Sequence, residues 1–139
     1  MATMIPAGAS IETVRSVMEK DVFAARVTGC EILEAAAGSG RCSMKVEPHH
    51  RNAMGNIMGG AIFTLADYAL SVASNYGSEP TMSVSCTMEF LSVSHGGTLF
   101  ADAQLDKSGR TTVFGTVRVT DDAGKLVALM VATCHKLGV

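Results

Sequence analysis

Between Asn52 and Ser78 the only charged side chain is Asp67. Small uncharged polar residues, Thr64, Ser71 and Ser74, share its side of the helix that this stretch spells, away from an apolar stripe of Ile62, Leu65, Ala66, Ala69, Val72 and Ala73. A helix face open to water normally collects several Lys, Glu or Arg residues. A lone carboxylate among hydroxyls therefore has two readings: a solvated residue, or a group beside a cleft that a second chain covers. Two turns earlier stand Gly59 and Gly60. A helix N-terminus presents unpaired N–H groups and the positive end of the dipole, and glycine lets a ligand carbonyl come close. Taken alone, the glycine pair reads first as a tight turn of the chain. An anion-stabilising helix end followed by a carboxylate is the minimum equipment for acyl transfer.

The elements that must position these groups are legible from periodicity. Ser10 can cap a short helix from Ile11, with Val14, Val17 and Met18 on one side. From about Val27 to Glu47 the pattern changes to strand, with Cys42, Met44 and Val46 alternating against polar neighbours and a turn at Gly38-Ser39-Gly40. A polar loop from Pro48 to Met58 leads to the glycine pair and a long helix from Ala61 to about Tyr76, ended by Gly77 and Pro80. Four strands follow. In Met82–Phe90 the apolar Met82, Val84, Cys86, Met88 and Phe90 alternate with Ser83, Ser85, Thr87 and Glu89. A turn at His95-Gly96-Gly97 precedes a strand over Leu99–Leu105, and turns at Lys107–Arg110 and Asp121–Gly124 separate Thr111–Thr120 from Leu126–His135. The last strand is apolar on both faces, which predicts a place inside the sheet. Consecutive hairpins and one long helix give an α+β fold, with the helix covering the concave side of an antiparallel sheet. Residues 1–139 read as one domain, with 1–24 as an N-terminal helical segment and 25–139 as the core.

Composition removes other classes of function. The net charge is −2 and no basic cluster exists to follow a nucleic-acid backbone. Cys30, Cys42, Cys86 and Cys134 are scattered without a C-x-x-C, which argues against zinc and thioredoxin-like chemistry. Adjacent His49 and His50 have no carboxylate or cysteine cluster with them, so no metal is expected. The first residues lack a secretory pattern and no apolar run reaches membrane-spanning length, which makes the expected compartment the cytoplasm. Charged residues make up 17% of the chain, below the roughly 25% of ordinary domains, a hint of surface covered by other subunits.

The stretch Asn52-Ala-Met-Gly-Asn-Ile-Met58-Gly59-Gly60-Ala-Ile-Phe-Thr-Leu-Ala-Asp67 resembles the N-x-x-G-x-x-H-G-G-x-x-x-x-L-x-D signature of hotdog-fold acyl-CoA thioesterases, in particular the phenylacetyl-CoA thioesterase branch. The similarity extends over roughly Glu47 to Leu137. It implies a hotdog fold and hydrolysis of acyl-CoA, with CoA as part of the substrate and no separate cofactor. By the same resemblance Asp67 acts as general base or nucleophile, the Gly59 N–H polarises the thioester carbonyl, Asn52 places the carbonyl or the water, and Ser83 orients that water, with Met58 and Gly60 beside the substrate. It further implies a homodimer in which Asp67 faces Asn52 and Gly59 of the other subunit, and a dimer of dimers as the tetramer. The family's histidine before the glycine pair is Met58 here, a side chain that donates no hydrogen bond and can instead line an apolar pocket. Two alternatives remain: a hydratase on the same fold, disfavoured because no histidine lies at the start of the helix, and a non-catalytic acyl-CoA binding module, which would have no need of Asp67.

Overall fold

The computed structural model describes residues 3–138. Helix α1 spans Ile11–Met18, and its cap is the expected Ser10, whose hydroxyl oxygen accepts the Thr13 N–H at 3.2 Å. The chain does not pass directly into strand at Val27. Phe23–Val27 forms one π-helical turn, closed by the Thr28 N–H donating to the Phe23 carbonyl at 2.8 Å, and Gly29 at φ +80° then redirects the backbone. Strand β1 (Cys30–Ala36) and β2 (Ser39–Lys45) make the first hairpin. After a 3₁₀ turn at Pro48–His50 comes helix α2, Gly59–Asn75, followed by β3 (Thr81–Phe90), β4 (Thr98–Ser108), β5 (Thr112–Asp121) and β6 (Leu126–Lys136).

The six strands form one antiparallel sheet in the order β1-β2-β4-β5-β6-β3. Helix α2 lies across it and carries the chain from the β2 side to the opposite edge. Every residue of the predicted stripe, Ile62, Leu65, Ala66, Ala69, Val72 and Ala73, is buried against Met44, Leu99, Ala101, Val117, Val119 and Met130. Strand β6 is paired on both sides, as its apolar text predicts, although Val131 on its outer face stays 62% exposed.

Three local expectations need correction. The glycine pair is inside α2 rather than before it, because the Met58 carbonyl accepts the Ala61 and Ile62 N–H groups and so starts the helix at Gly59. Strands β3 and β4 do not form a hairpin; residues 91–97 cross the end of the sheet, with the Leu91 N–H bonded to the Val127 carbonyl at 2.8 Å and the Ser92 hydroxyl to the Leu126 carbonyl at 2.6 Å. Strand β3 is not strictly alternating either. A bulge between Ser83 and Ser85 leaves Val84 without a partner, so Ser83 faces inward together with Cys86 and Met88, while Met82, which the alternation puts on the same apolar face as Cys86, is 55% exposed.

Candidate active site

Asp67 is carried on the third turn of α2, half-buried, where the start of β3 passes over the helix. The Ser83 hydroxyl donates to Asp67 Oδ1 at 3.3 Å. Ser83 lies ahead of the bulge at Val84: it faces inward in regular register opposite Cys134, and the register slips only beyond it. Burial raises the Asp67 carboxyl above its ordinary range; the Ser83 hydrogen bond opposes that shift and the charge of Asp21 adds to it. The nearby thiols are not nucleophile candidates. Burial pushes Cys134 up to about 11 and also raises Cys86, so both stay protonated near neutral pH.

The polar face around Asp67 is narrower than the sequence implies. Thr64 and Ser71 are half-buried neighbours, but Ser74 is buried, its hydroxyl lying 3.5 Å from the Ser71 carbonyl and accepting from Asn75 Nδ2 at 3.3 Å.

The helix start forms a separate group. Met58 is the N-cap in extended conformation and supplies no side-chain cap, and among the described residues the Gly59 and Gly60 N–H groups have no acceptor within the chain. The cap is held from below. The Met58 N–H donates to the His50 carbonyl at 2.7 Å, and the buried His50 ring accepts the Glu47 N–H on Nδ1 at 2.9 Å while its Nε2 meets the Thr28 carbonyl at 2.6 Å. His50 thus anchors the loop and has neither ring nitrogen free for a ligand. A cleft of about 350 Å³ opens beside the helix start, lined by Asn52, Asn56, Ile57, Gly59, Ile62 and Phe90 among others. The Phe90 ring lies so close that a Cβ on Gly59 would come within 3.1 Å of its tip, a contact tight enough to make the ring move aside. Asn52 also shapes its own loop. Its Oδ1 accepts the N–H groups of Met54 at 3.0 Å and Asn56 at 3.1 Å, which fixes the turn and leaves Nδ2 without an acceptor among the described residues. Met58 is 54% exposed, with its methyl group folded toward Gly60.

The structure therefore joins Asp67 to Ser83, and joins Asn52 to Gly59, Gly60 and Met58, without bringing the two groups to one point within a single chain. Gly59 and Asp67 are eight residues apart on one helix, about 12 Å along its axis. Phe90 and Asn56 were not singled out by sequence: Phe90 reads as an ordinary strand residue, and nothing in a polar loop distinguishes Asn56 from its neighbours. Asp21, whose charge acts on Asp67, has no sequence signal at all.

Comparisons with known proteins bear on this arrangement. The model of the family described as "Thioesterase superfamily" matches residues 54–128. Human acyl-coenzyme A thioesterase 13 is 34% identical over 124 residues, 86% of this chain and 89% of its own. Acyl-coenzyme A thioesterase PaaI of Escherichia coli K12 is 30% identical over 115 residues, covering 82% of each chain. The solved structure of the E. coli PaaI protein superposes with a TM-score of 0.85 at 27% identity, over 92% of this chain and 94% of that one. The family match reaches from the loop before α2 through β3, β4 and β5 to the start of β6, taking in the helix start, Asp67 and Ser83, and with the fold it shows that this chain belongs to the thioesterase superfamily, among its PaaI-like hotdog members.

Proposed function

We propose that this protein hydrolyses acyl-CoA thioesters to a free acid and CoA, at sites shared between two subunits. Membership of the thioesterase superfamily makes it a thioester hydrolase, and relatives 30–34% identical are named acyl-coenzyme A thioesterases, which supports CoA as the leaving group. The observation that carries the shared site is the separation of Asp67 from Gly59. A water poised on the carboxylate must also lie within about 3 Å of a carbonyl carbon held by the oxyanion donors. One chain sets these parts about 12 Å apart along the helix. A two-fold partner with its helix alongside would bring its own Gly59 and Asn52 to this Asp67.

In that arrangement the thioester oxygen accepts the Gly59 N–H, with the end of the helix dipole behind it, and Asn52 Nδ2 donates beside it. Gly60 and Met58 flank the mouth of the cleft. Ser83 occupies Asp67 Oδ1, which leaves Oδ2 to take a proton from water. Water oxygen bonds to the carbonyl carbon, the proton passes to Asp67, and collapse of the tetrahedral centre breaks the carbon–sulfur bond and releases CoA as thiolate. The raised proton affinity of Asp67 suits a base, since a weakly basic carboxylate removes a proton from water poorly. CoA enters as part of the substrate, so the reaction needs no metal or separate cofactor.

The same reading treats residues 1–139 as one domain acting as a homodimer, with dimers pairing into a tetramer. No helix among the described residues is long and apolar enough to cross a membrane. All four cysteines are free thiols, which supports a reducing, cytoplasmic setting. A hydratase would need an imidazole beside the carboxylate, and the buried His50 is committed to the loop. Thiol release from a panel of acyl-CoA esters tests the proposal. Wild type should release CoA, and Asp67→Asn should lose about 10²–10⁴-fold in kcat with a far smaller change in substrate binding, the range expected for a general base. An Asp67→Asn protein that keeps most of its turnover at saturating substrate contradicts the assignment.

A further inference from the structure

Beyond Asp67, on the side away from the helix start, lies a second cavity of about 590 Å³. Its walls include Met4, Val17, Met18, Ser71, Thr81 and Leu137. We infer that this cavity receives the apolar acyl group of the substrate, and that Val17 and Met18 at the end of α1 set the length it accepts. The inference rests on the acyl-CoA reading above and goes past it, because it assigns substrate choice to the N-terminal helix.

Proximity to the carboxylate is the first ground. Ser71 follows Asp67 by one helical turn on the same face of α2. Thr81 precedes Ser83 by two residues and so shares its face of β3, ahead of the bulge. At the far end Asn75 ties the two elements together, donating to the Thr81 carbonyl at 3.0 Å and accepting the Thr81 N–H at 2.8 Å. The cavity thus begins one turn beyond Asp67, at Ser71, and follows α2 to Asn75, about 6 Å of helix. An acyl chain whose carbonyl sits at Asp67, with CoA departing over the helix start, has this direction open to it.

The chemistry of the walls is the second ground. Asn75 is saturated, since Nδ2 also donates to the Ser71 carbonyl at 2.9 Å, and Thr81 Oγ1 is spent on the Glu79 carbonyl at 2.8 Å. The rest of the lining is apolar, from Met4, Val17, Met18, Pro80 and Leu137, apart from Ser71 and the exposed Lys20 and Asp21. Such a lining favours an apolar guest over a polar one. The wall is also fixed: the Tyr68 hydroxyl donates to the Met18 carbonyl at 3.1 Å, pinning the end of α1 to α2. Val17 is only partly buried, so its size can change without opening the core.

The test enlarges and fills the space at Val17 and compares decanoyl-CoA with butyryl-CoA by thiol release. Val17→Phe should lower the decanoyl-to-butyryl ratio of kcat/KM by about tenfold or more, with butyryl-CoA changed only a few-fold, and Val17→Ala should keep or raise the ratio; one methylene in an apolar pocket is worth about 10–200-fold. Calorimetric binding of decanoyl-CoA and of free CoA, in an Asp67→Asn background, gives a readout independent of turnover: Val17→Phe should weaken the former and spare the latter. Unchanged ratios and affinities in both variants, with melting temperatures showing them folded, overturn the acyl pocket while leaving the thioesterase reading intact. No thiol release by wild type from any ester overturns that reading, and the binding comparison then decides the pocket alone.

Discussion

Burial raises the proton affinity of Asp67 against the opposing Ser83 hydrogen bond, and the sign of that shift has two measurable results. At low pH the carboxyl is protonated in both folded and unfolded chains and contributes nothing to stability. As pH rises past its unperturbed 3.8 the unfolded chain releases the proton first, so the folded state binds more protons and loses stability until its own raised value is passed. Asp67 therefore destabilises the fold at neutral pH. Asp67→Asn, which keeps an oxygen for the Ser83 hydroxyl, should melt higher than wild type at about pH 7 and equally at about pH 3. Hydrolysis should follow the same titration in wild type, with kcat/KM falling in acid at a midpoint above that of a free aspartate. A variant that melts lower at neutral pH would mean the charged form is stabilised by its surroundings. At this scale the sequence exposes Asp67 through its isolation among uncharged residues and Gly59 through its pairing with Gly60. It does not expose the part Asn52 plays within its own loop, because an Asx turn depends on a backbone that folds back from Asn56.

The approach of α2 to the sheet depends on a residue with no chemistry of its own. A Cβ on Gly40 of β2 would stand 2.8 Å from the Ala69 carbonyl oxygen and 3.1 Å from Val72 Cβ, both on the buried side of the helix. Neither is the end of a flexible side chain, so the helix itself would have to shift. Gly40→Ala should lower stability by about 1–3 kcal/mol, as overpacked cores do, and displace the helix that holds Asp67. Thermal or urea unfolding measures the first effect, and an unchanged midpoint would show that the helix can yield freely. Elements defined by strong periodicity were legible: both helices, the Ser10 cap, six strands and the α2 stripe. Features that arise from pairing between distant strands were not. The bulge at Val84 appears only when β3 is registered against β6, and the crossing of residues 91–97 only when Leu91 and Ser92 bond to the end of β6. The π-helical turn at Phe23–Val27 is likewise invisible to a 3.6-residue period.

At the scale of the molecule, one feature of the sheet bears on the proposed shared site. Strand β3 pairs with β6 along one edge and, among the described residues, with no strand along the other, and its flank carries Val84 at 64% exposure. An unprotected edge strand of ten residues is a template for pairing with another chain. Charged residues make up 17% of the chain, and Asp67 and Gly59 stand about 12 Å apart on one helix; the proposed two-fold partner would account for all three observations. The most direct test mixes inactive Asp67→Asn protein with inactive Asn52→Ala protein under conditions that exchange subunits. In a mixed dimer one site has both residues intact and the other has neither. Random pairing of equal amounts makes half the dimers mixed, so about a quarter of all sites, and about a quarter of wild-type thiol release, should return. A mixture whose full exchange is confirmed by mass tagging, yet which stays as inactive as its parents, would show that each chain builds its own site and would contradict the account.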